Sequence, residues 1–162
     1  MKMKKLFMLC FMTTVFAVAA NAQASNVKFS LGGNISSGNF SGGGKSITGF
    51  GLDLNVKKDL NESFEGFLQT GYNSYSESGS SWGVIPVLVG VNYKSGNFKP
   101  GLGIGYGRLS VSGGDGIGGF AFSPQLGYSL EKVDLVAHYT SISIEKSSSN
   151  INILGLKVLY KF

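Results

Sequence analysis

From residue 26 to the C-terminus the chain alternates apolar and polar positions with a period of two, the signature of strands whose two faces meet different surroundings. Eight segments carry the pattern. Residues 26–36 place Val27, Phe29, Leu31 and Ile35 on one face, and 46–57 place Phe50, Leu52, Leu54 and Val56. Residues 63–74 align Phe64, Leu68 and Tyr72; 82–94 align Ile85, Val87, Val89, Val91 and Tyr93; 98–110 align Phe98, Leu102, Ile104 and Tyr106. Residues 119–130 align Phe120, Phe122, Leu126, Tyr128 and Leu130; 133–144 align Val133, Leu135, Ala137 and Tyr139; 151–162 align Leu154, Leu156, Val158, Tyr160 and Phe162. The opposite faces are glycine and polar, as in Lys28, Ser30, Gly32 and Asn34 of the first segment.

The connections alternate too. Ser/Gly-rich stretches lie at 37–45, 75–81, 111–118 and 145–150, and shorter turns at 58–62, 95–96 and 131–132. Four longer loops and three short turns fit an eight-stranded antiparallel up-and-down barrel, with both termini at the turn end.

A soluble calyx and a membrane barrel share this alternation with opposite sense. Ring spacing favours lipid on the apolar side. Phe64 and Tyr72, Phe98 and Tyr106, and Phe120 and Tyr128 each stand eight residues apart on one face. On tilted strands that is roughly 20 Å of height, near the ~25 Å apolar band between aromatic girdles. Phe64, Tyr93, Phe98, Tyr128, Tyr160 and Phe162 are expected to form the belt at the turn end. Phe50, Tyr72, Tyr106, Phe120 and Tyr139 should form the belt at the loop end, with Trp82 beside it.

The lean face suits a narrow lumen. A hairpin turning at Ser95-Gly96 sets Leu88 opposite Gly103, Gly90 opposite Gly101 and Val84 opposite Gly107, with Tyr93 beside Phe98 at the rim. That register asks Pro86 for a ladder hydrogen bond it lacks, so a bulge or a two-residue shift stays open. Lys28, Asp53, Glu65, Lys99, Gln125, Glu131, Asp134, His138 and Lys157 are expected to form a polar network in the lumen, where both charge signs can pair. Eight strands leave an interior filled by side chains, which argues against an open pore.

The N-terminus reads as an export signal. Lys2, Lys4 and Lys5 precede the apolar stretch Leu6–Ala19, and Ala20-Asn21-Ala22 supplies the small residues of a cleavage site, expected after Ala22. Residues 1–22 are then the signal peptide and 23–162 the barrel domain. Removing the signal lowers the net charge from +5 to +2, so the basic balance is weak evidence for nucleic acid and none is expected as a partner. Cys10, the one cysteine, leaves with the signal; no disulfide, metal or other cofactor is expected.

Three stretches carry a family resemblance: Trp82-Gly83-Val84-Ile85-Pro86-Val87-Leu88-Val89-Gly90-Val91-Asn92-Tyr93, Lys99-Pro100-Gly101-Leu102-Gly103-Ile104-Gly105, and the ending Tyr160-Lys161-Phe162. Through them the mature chain resembles the small outer-membrane β-barrel (porin-family) proteins, similar in fold to outer membrane protein X and the membrane domain of outer membrane protein A. The resemblance implies an integral place in the outer membrane of a Gram-negative bacterium. It also implies contact with lipopolysaccharide, and a terminal signal at Tyr160 and Phe162 for the barrel-assembly machinery. A monomer is expected, and a host or environmental surface ligand is left open.

Little chemistry competes with this reading. His138, the one histidine, should face Gln125 across the sheet as a hydrogen-bonded lumen residue. His138-Tyr139-Thr140 faintly resembles the His-x-Ser pair of barrel-shaped lipid A deacylases, with Thr140 in the serine's place and both residues aimed inward. The Gly103-x-Gly105-x-Gly107 run lies within a strand and is no nucleotide loop, and Gly113–Gly119 holds one carboxylate, too few for calcium. Arg108 shares the apolar face near the loop-end rim, where it could reach lipid phosphates. The expectation is a non-enzymatic structural or surface protein. The alternatives are a lipid A-modifying enzyme, a soluble lipid-carrying barrel and a narrow channel.

Overall fold

The computed structural model describes residues 27–41, 45–77, 80–111, 116–145 and 149–162. The proposed signal peptide, its cleavage site and residues 112–115 of the glycine-rich loop lie outside the described residues. Eight strands form: β1 (Val27–Phe40), β2 (Ile47–Asp59), β3 (Phe64–Glu77), β4 (Ser80–Tyr93), β5 (Phe98–Val111), β6 (Ile117–Ser129), β7 (Val133–Ile144) and β8 (Asn150–Lys161). Each pairs antiparallel with its sequence neighbour, and β8 pairs back with β1 from Ser30↔Lys161 to Phe40↔Ile151. Closure leaves no sheet edge with unpaired backbone groups. Several strands run further toward the loop end than their apolar pattern suggests: β1 reaches Phe40 and β3 reaches Glu77.

The β4–β5 register differs from the expected one by two residues. The tight turn is Gly96-Asn97, closed by paired backbone hydrogen bonds of 2.9 and 3.0 Å between Ser95 and Phe98. Gly96 takes φ 60°, which a residue without Cβ adopts at little cost. Leu88 therefore opposes Gly105, Gly90 opposes Gly103, and Val84 opposes Leu109. Tyr93 meets the ring of Phe64 at 5.5 Å, and Phe98 meets that of Tyr128 at 5.1 Å. Two of the three prolines sit at ladder gaps. β3–β4 pairing passes from Thr70↔Val87 to Asn73↔Val84 around Pro86, and β6–β7 pairing from Phe122↔Ser141 to Gln125↔His138 around Pro124.

The interior has two halves. Toward the turn end it is polar and charged. Toward the loop end it is apolar, although a glycine-and-polar lining is expected throughout. Tyr75, Trp82, Val84, Leu88, Leu109, Ala121, Ile142, Ile144, Ile151 and Ile153 are buried there, with Phe67 below and Phe40 and Ile47 packed against them. Trp82 is thus not beside the outer belt. Its ring stacks on Tyr75 at 4.0 Å and 13° inside the barrel, tilted against Phe40 at 5.3 Å. Glycines make the room: a Cβ on Gly38 would meet the Trp82 ring, one on Gly103 would sit 3.1 Å from Phe67 Cζ, and one on Gly107 would press on Ile142. Lean residues on one strand thus receive bulky ones from others, as close packing of a narrow lumen requires.

Trp82→Ala removes the largest ring of this plug and is expected to cost about 3–5 kcal/mol of unfolding free energy. Urea titration of the refolded protein in phospholipid vesicles, followed by the mobility of unheated samples on gels, measures it. A loss under about 1 kcal/mol would show that the ring is not packed.

Candidate functional site

The polar half of the lumen is built from inward positions of all eight strands, and its charges come in pairs. Asp134 on β7 accepts from Lys57 on β2 at 2.5 Å, from Lys161 on β8 at 3.1 Å and from Ser129 Oγ at 2.7 Å. Asp53 on β2 accepts from Lys157 Nζ at 3.1 Å, from the Asn34 amide and, at 3.4 Å, from Gln69. Glu65 on β3 accepts from Lys99 Nζ and from Asn92 Nδ2, both at 3.2 Å, and Gln125 Nε2 donates to Asn92 Oδ1 at 2.9 Å. Asp53, Glu65, Asp134, Lys57 and Lys157 are all buried. A buried charge is tolerable only when paired and hydrogen-bonded, and these three clusters meet that condition. A small cleft opens between them, lined by Asn55, Lys57, Asn92, Lys99 and Gln125, with room for about one water molecule.

Between the charges and the apolar plug lies a hydroxyl layer. Thr140 Oγ1 stands 2.7 Å from Ser123 Oγ and 3.2 Å from His138 Nδ1, and Ser36 Oγ stands 2.8 Å from the Tyr75 hydroxyl. His138 is buried, and a Cβ added to Gly155 would lie 2.7 Å from its Nε2. Its Nε2, Asn55 Oδ1 and Asn73 Oδ1 have no hydrogen-bond partner among the described residues.

Of the residues expected in the lumen, Asp53, Glu65, Lys99, Gln125, Asp134, His138 and Lys157 point inward. Two do not join them. Glu131 lies exposed in the turn between β6 and β7, because the strand ends at Ser129 and the alternation stops with it. Lys28 has inward parity but sits at the rim, where it binds Asp59 at 2.7 Å beside Lys94, also on Asp59 at 2.9 Å. His138 does lie opposite Gln125 in the register, but its polar contact is Thr140, while Gln125 turns to Asn92. Lys57, Gln69 and Asn92 complete the network although sequence reasoning did not single them out. Extending the parity of Asp53 and Asn55 by one step would have found Lys57.

On the outside, Phe50, Phe64, Tyr72, Tyr93, Phe98, Tyr106, Phe120, Tyr139, Tyr160 and Phe162 are exposed and Tyr128 is partly so. At the turn end their rings pair, Tyr160 on Phe162 at 5.3 Å among them. At the loop end two rings lie over outward glycines, Tyr72 over Gly83 and Tyr106 over Gly118. An outer wall this apolar around a polar, charge-paired interior is the reverse of a water-soluble barrel.

Residues 8–162 match the family model described as outer membrane protein beta-barrel domain. No curated protein matches the chain. Solved structures share the fold at low identity. The Neisserial surface protein A is 17% identical with TM-score 0.61, over 85% of this chain and 98% of that one. Ail, the attachment invasion locus protein of Yersinia pestis, is 16% identical with TM-score 0.57, over 85% and 99%. The outer membrane enzyme PagL is 14% identical with TM-score 0.54, over 80% and 98%. With its matched length, its closed barrel and its apolar exterior, the chain belongs to the outer membrane protein β-barrel domain family and is an integral protein of the outer membrane.

Proposed function

We propose that this protein is a non-enzymatic, monomeric outer-membrane barrel whose filled lumen makes it a rigid element of the membrane and a support for its surface loops. One observation carries the reading: side chains occupy the interior at both levels. The apolar plug around Trp82 and Tyr75 lies at the loop end and the three ion-pair clusters on Asp53, Glu65 and Asp134 lie toward the turn end. An interior so occupied argues against conduction. The outward rings then lie at the two lipid interfaces, with lipopolysaccharide among the lipids they touch. Tyr160 and Phe162, outward at the end of β8, suit a signal for the assembly machinery, and residues 1–22 suit a cleaved export signal.

The enzyme PagL shares the fold, so the lipid A deacylase alternative is judged on the site. His138 and Thr140 lie on the inner wall, and the Thr140 hydroxyl is engaged by Ser123 at 2.7 Å. A nucleophile acting on an acyl chain must meet lipid, and this pair turns away from it. Cells expressing the wild-type chain and His138→Ala are expected to show the same lipid A masses as cells without it. Loss of an acyl chain with the wild type alone would contradict the reading.

The ion pairs make a second prediction. Asp134→Ala leaves Lys57 and Lys161 facing a missing carboxylate and is expected to cost about 3–5 kcal/mol in vesicle unfolding. Lys57→Met and Lys161→Met together with Asp134→Leu should recover much of that loss, because apolar side chains replace a buried ion-pair cluster at little cost. Planar bilayers should show no discrete conductance with either protein. Steady wild-type channels would overturn the filled-lumen account.

A further inference from the structure

Seven of the eight strand pairings join strands that follow one another in the chain, so a turn or loop tethers each. The β8–β1 pairing has no such tether. It runs from Ser30↔Lys161 to Phe40↔Ile151. Phe162 N donating to Phe29 O at 2.9 Å and Ser41 N donating to Asn150 O at 2.7 Å extend it at the two ends. Joining the two ends of the chain costs more loop-closure entropy than closing a hairpin. Opening at this seam leaves the other seven pairings intact, which makes it the smallest cooperative opening of the ring.

The lumen charges fall unevenly on this seam. Lys57 on β2 reaches Asp134 on β7 at 2.5 Å, 77 residues away in the chain. Lys157 on β8 reaches Asp53 on β2 at 3.1 Å, 104 residues away. Both pairs pass over β1, whose inward positions there are the small residues Ser30, Gly32 and Asn34. Across the seam the ladder leads from Lys157 through Asn34 to Gly51, and from Asp134 through Leu159 and Gly32 to Asp53. The partners Asp53 and Lys57 lie two and four residues beyond, toward the turn end, as tilted strands place residues of equal height. The third cluster is different. Glu65, Asn92, Lys99 and Gln125 bond across separations of 27, 34 and 33 residues, all within β3 to β6. It braces the wall opposite the seam, where every pairing is already tethered.

We infer that the ion pairs Lys57–Asp134 and Lys157–Asp53 are the latch of the β8–β1 seam, clasping the first hairpin to the last over the lean inner face of β1. Parting β8 from β1 pulls each lysine from its carboxylate and leaves buried charges without partners, a cost added to that of the broken ladder. Ion pairs that only filled the lumen would stabilise every strand alike, whereas a latch protects one pairing above the rest.

Deuterium exchange, read by mass spectrometry of peptic fragments, would be followed on the protein extracted from outer membranes and placed in phosphatidylcholine vesicles. Asp53→Asn with Lys157→Met should speed exchange of the amides at 30–40 and 151–161 by about tenfold or more, while those at 85–106 keep wild-type rates. Lys57→Met with Asp134→Asn should do the same, so that if one variant does not fold the other decides. Glu65→Gln with Lys99→Met, the same chemistry on the far wall, should leave the seam at its wild-type rate. A covalent staple across the seam, Ser37→Cys joined to the paired Leu154→Cys by a short bis-alkylating reagent, should return either latch variant to slow exchange. Seam amides unmoved in the latch variants, or exchange that rises equally around the whole ring, would overturn the inference. So would a far-wall variant that loosens the seam as much, or a staple that fails to restore protection.

Discussion

Every backbone N–H and C=O that crosses hydrocarbon needs a partner within the protein, since an unmade hydrogen bond there costs several kcal/mol. For a chain of short alternating segments the solution is a closed sheet, and the return of β8 onto β1 provides it. The constraint is strict enough to show at its exceptions. Pro86 and Pro124, which lack an N–H, stand where the ladder has gaps, and the backbone is otherwise paired around the ring. Closure over eight strands then fixes a narrow lumen, and the narrow lumen fixes what the inward side chains can be.

Filling that lumen has two physical solutions, and this chain uses both. Where the surroundings are hydrocarbon, the interior is polar and its charges neutralise each other in clusters on Asp53, Glu65 and Asp134. Toward the loop end, the interior is a packed core of rings and branched aliphatics, with Tyr75 and Trp82 stacked at its centre. The hydroxyl layer of Ser123, Thr140 and His138 joins the two. The His-x-Thr pair lies in this layer, held by neighbours in the wall and turned from lipid.

Much of this was legible in the sequence because period two survives wherever one face meets hydrocarbon. Strand number, closure and the outward rings follow from it. The lumen was legible where charges fell on the lean face, as at Asp53, Asp134 and Lys157. The apolar plug was not, because the sense of the alternation reverses near the loop end while its period does not. Ile142, Ile144, Ile151 and Ile153 keep the parity of polar positions, so a reading that assigns one polarity to each face along a whole strand misses them. Tyr75 fell in a Ser-rich stretch that reads as loop, and Trp82, at the start of the fourth segment, was placed beside the outer belt rather than inside the barrel. Glu131 was carried inward by extending parity past the end of β6, and the β4–β5 register was two residues off because Gly96-Asn97 rather than Ser95-Gly96 forms the turn.

The lipid-facing assignment underlies the whole account, and the chain's one tryptophan allows a direct measurement. Trp82 lies inside the wall, whereas a tryptophan placed at Leu156 in a Trp82→Phe background would project from the band. Fluorescence in vesicles of acyl-chain-brominated lipid should show weak quenching of Trp82 and strong quenching of the Leu156→Trp protein. The opposite order, with Trp82 quenched and the band tryptophan protected, would contradict the account.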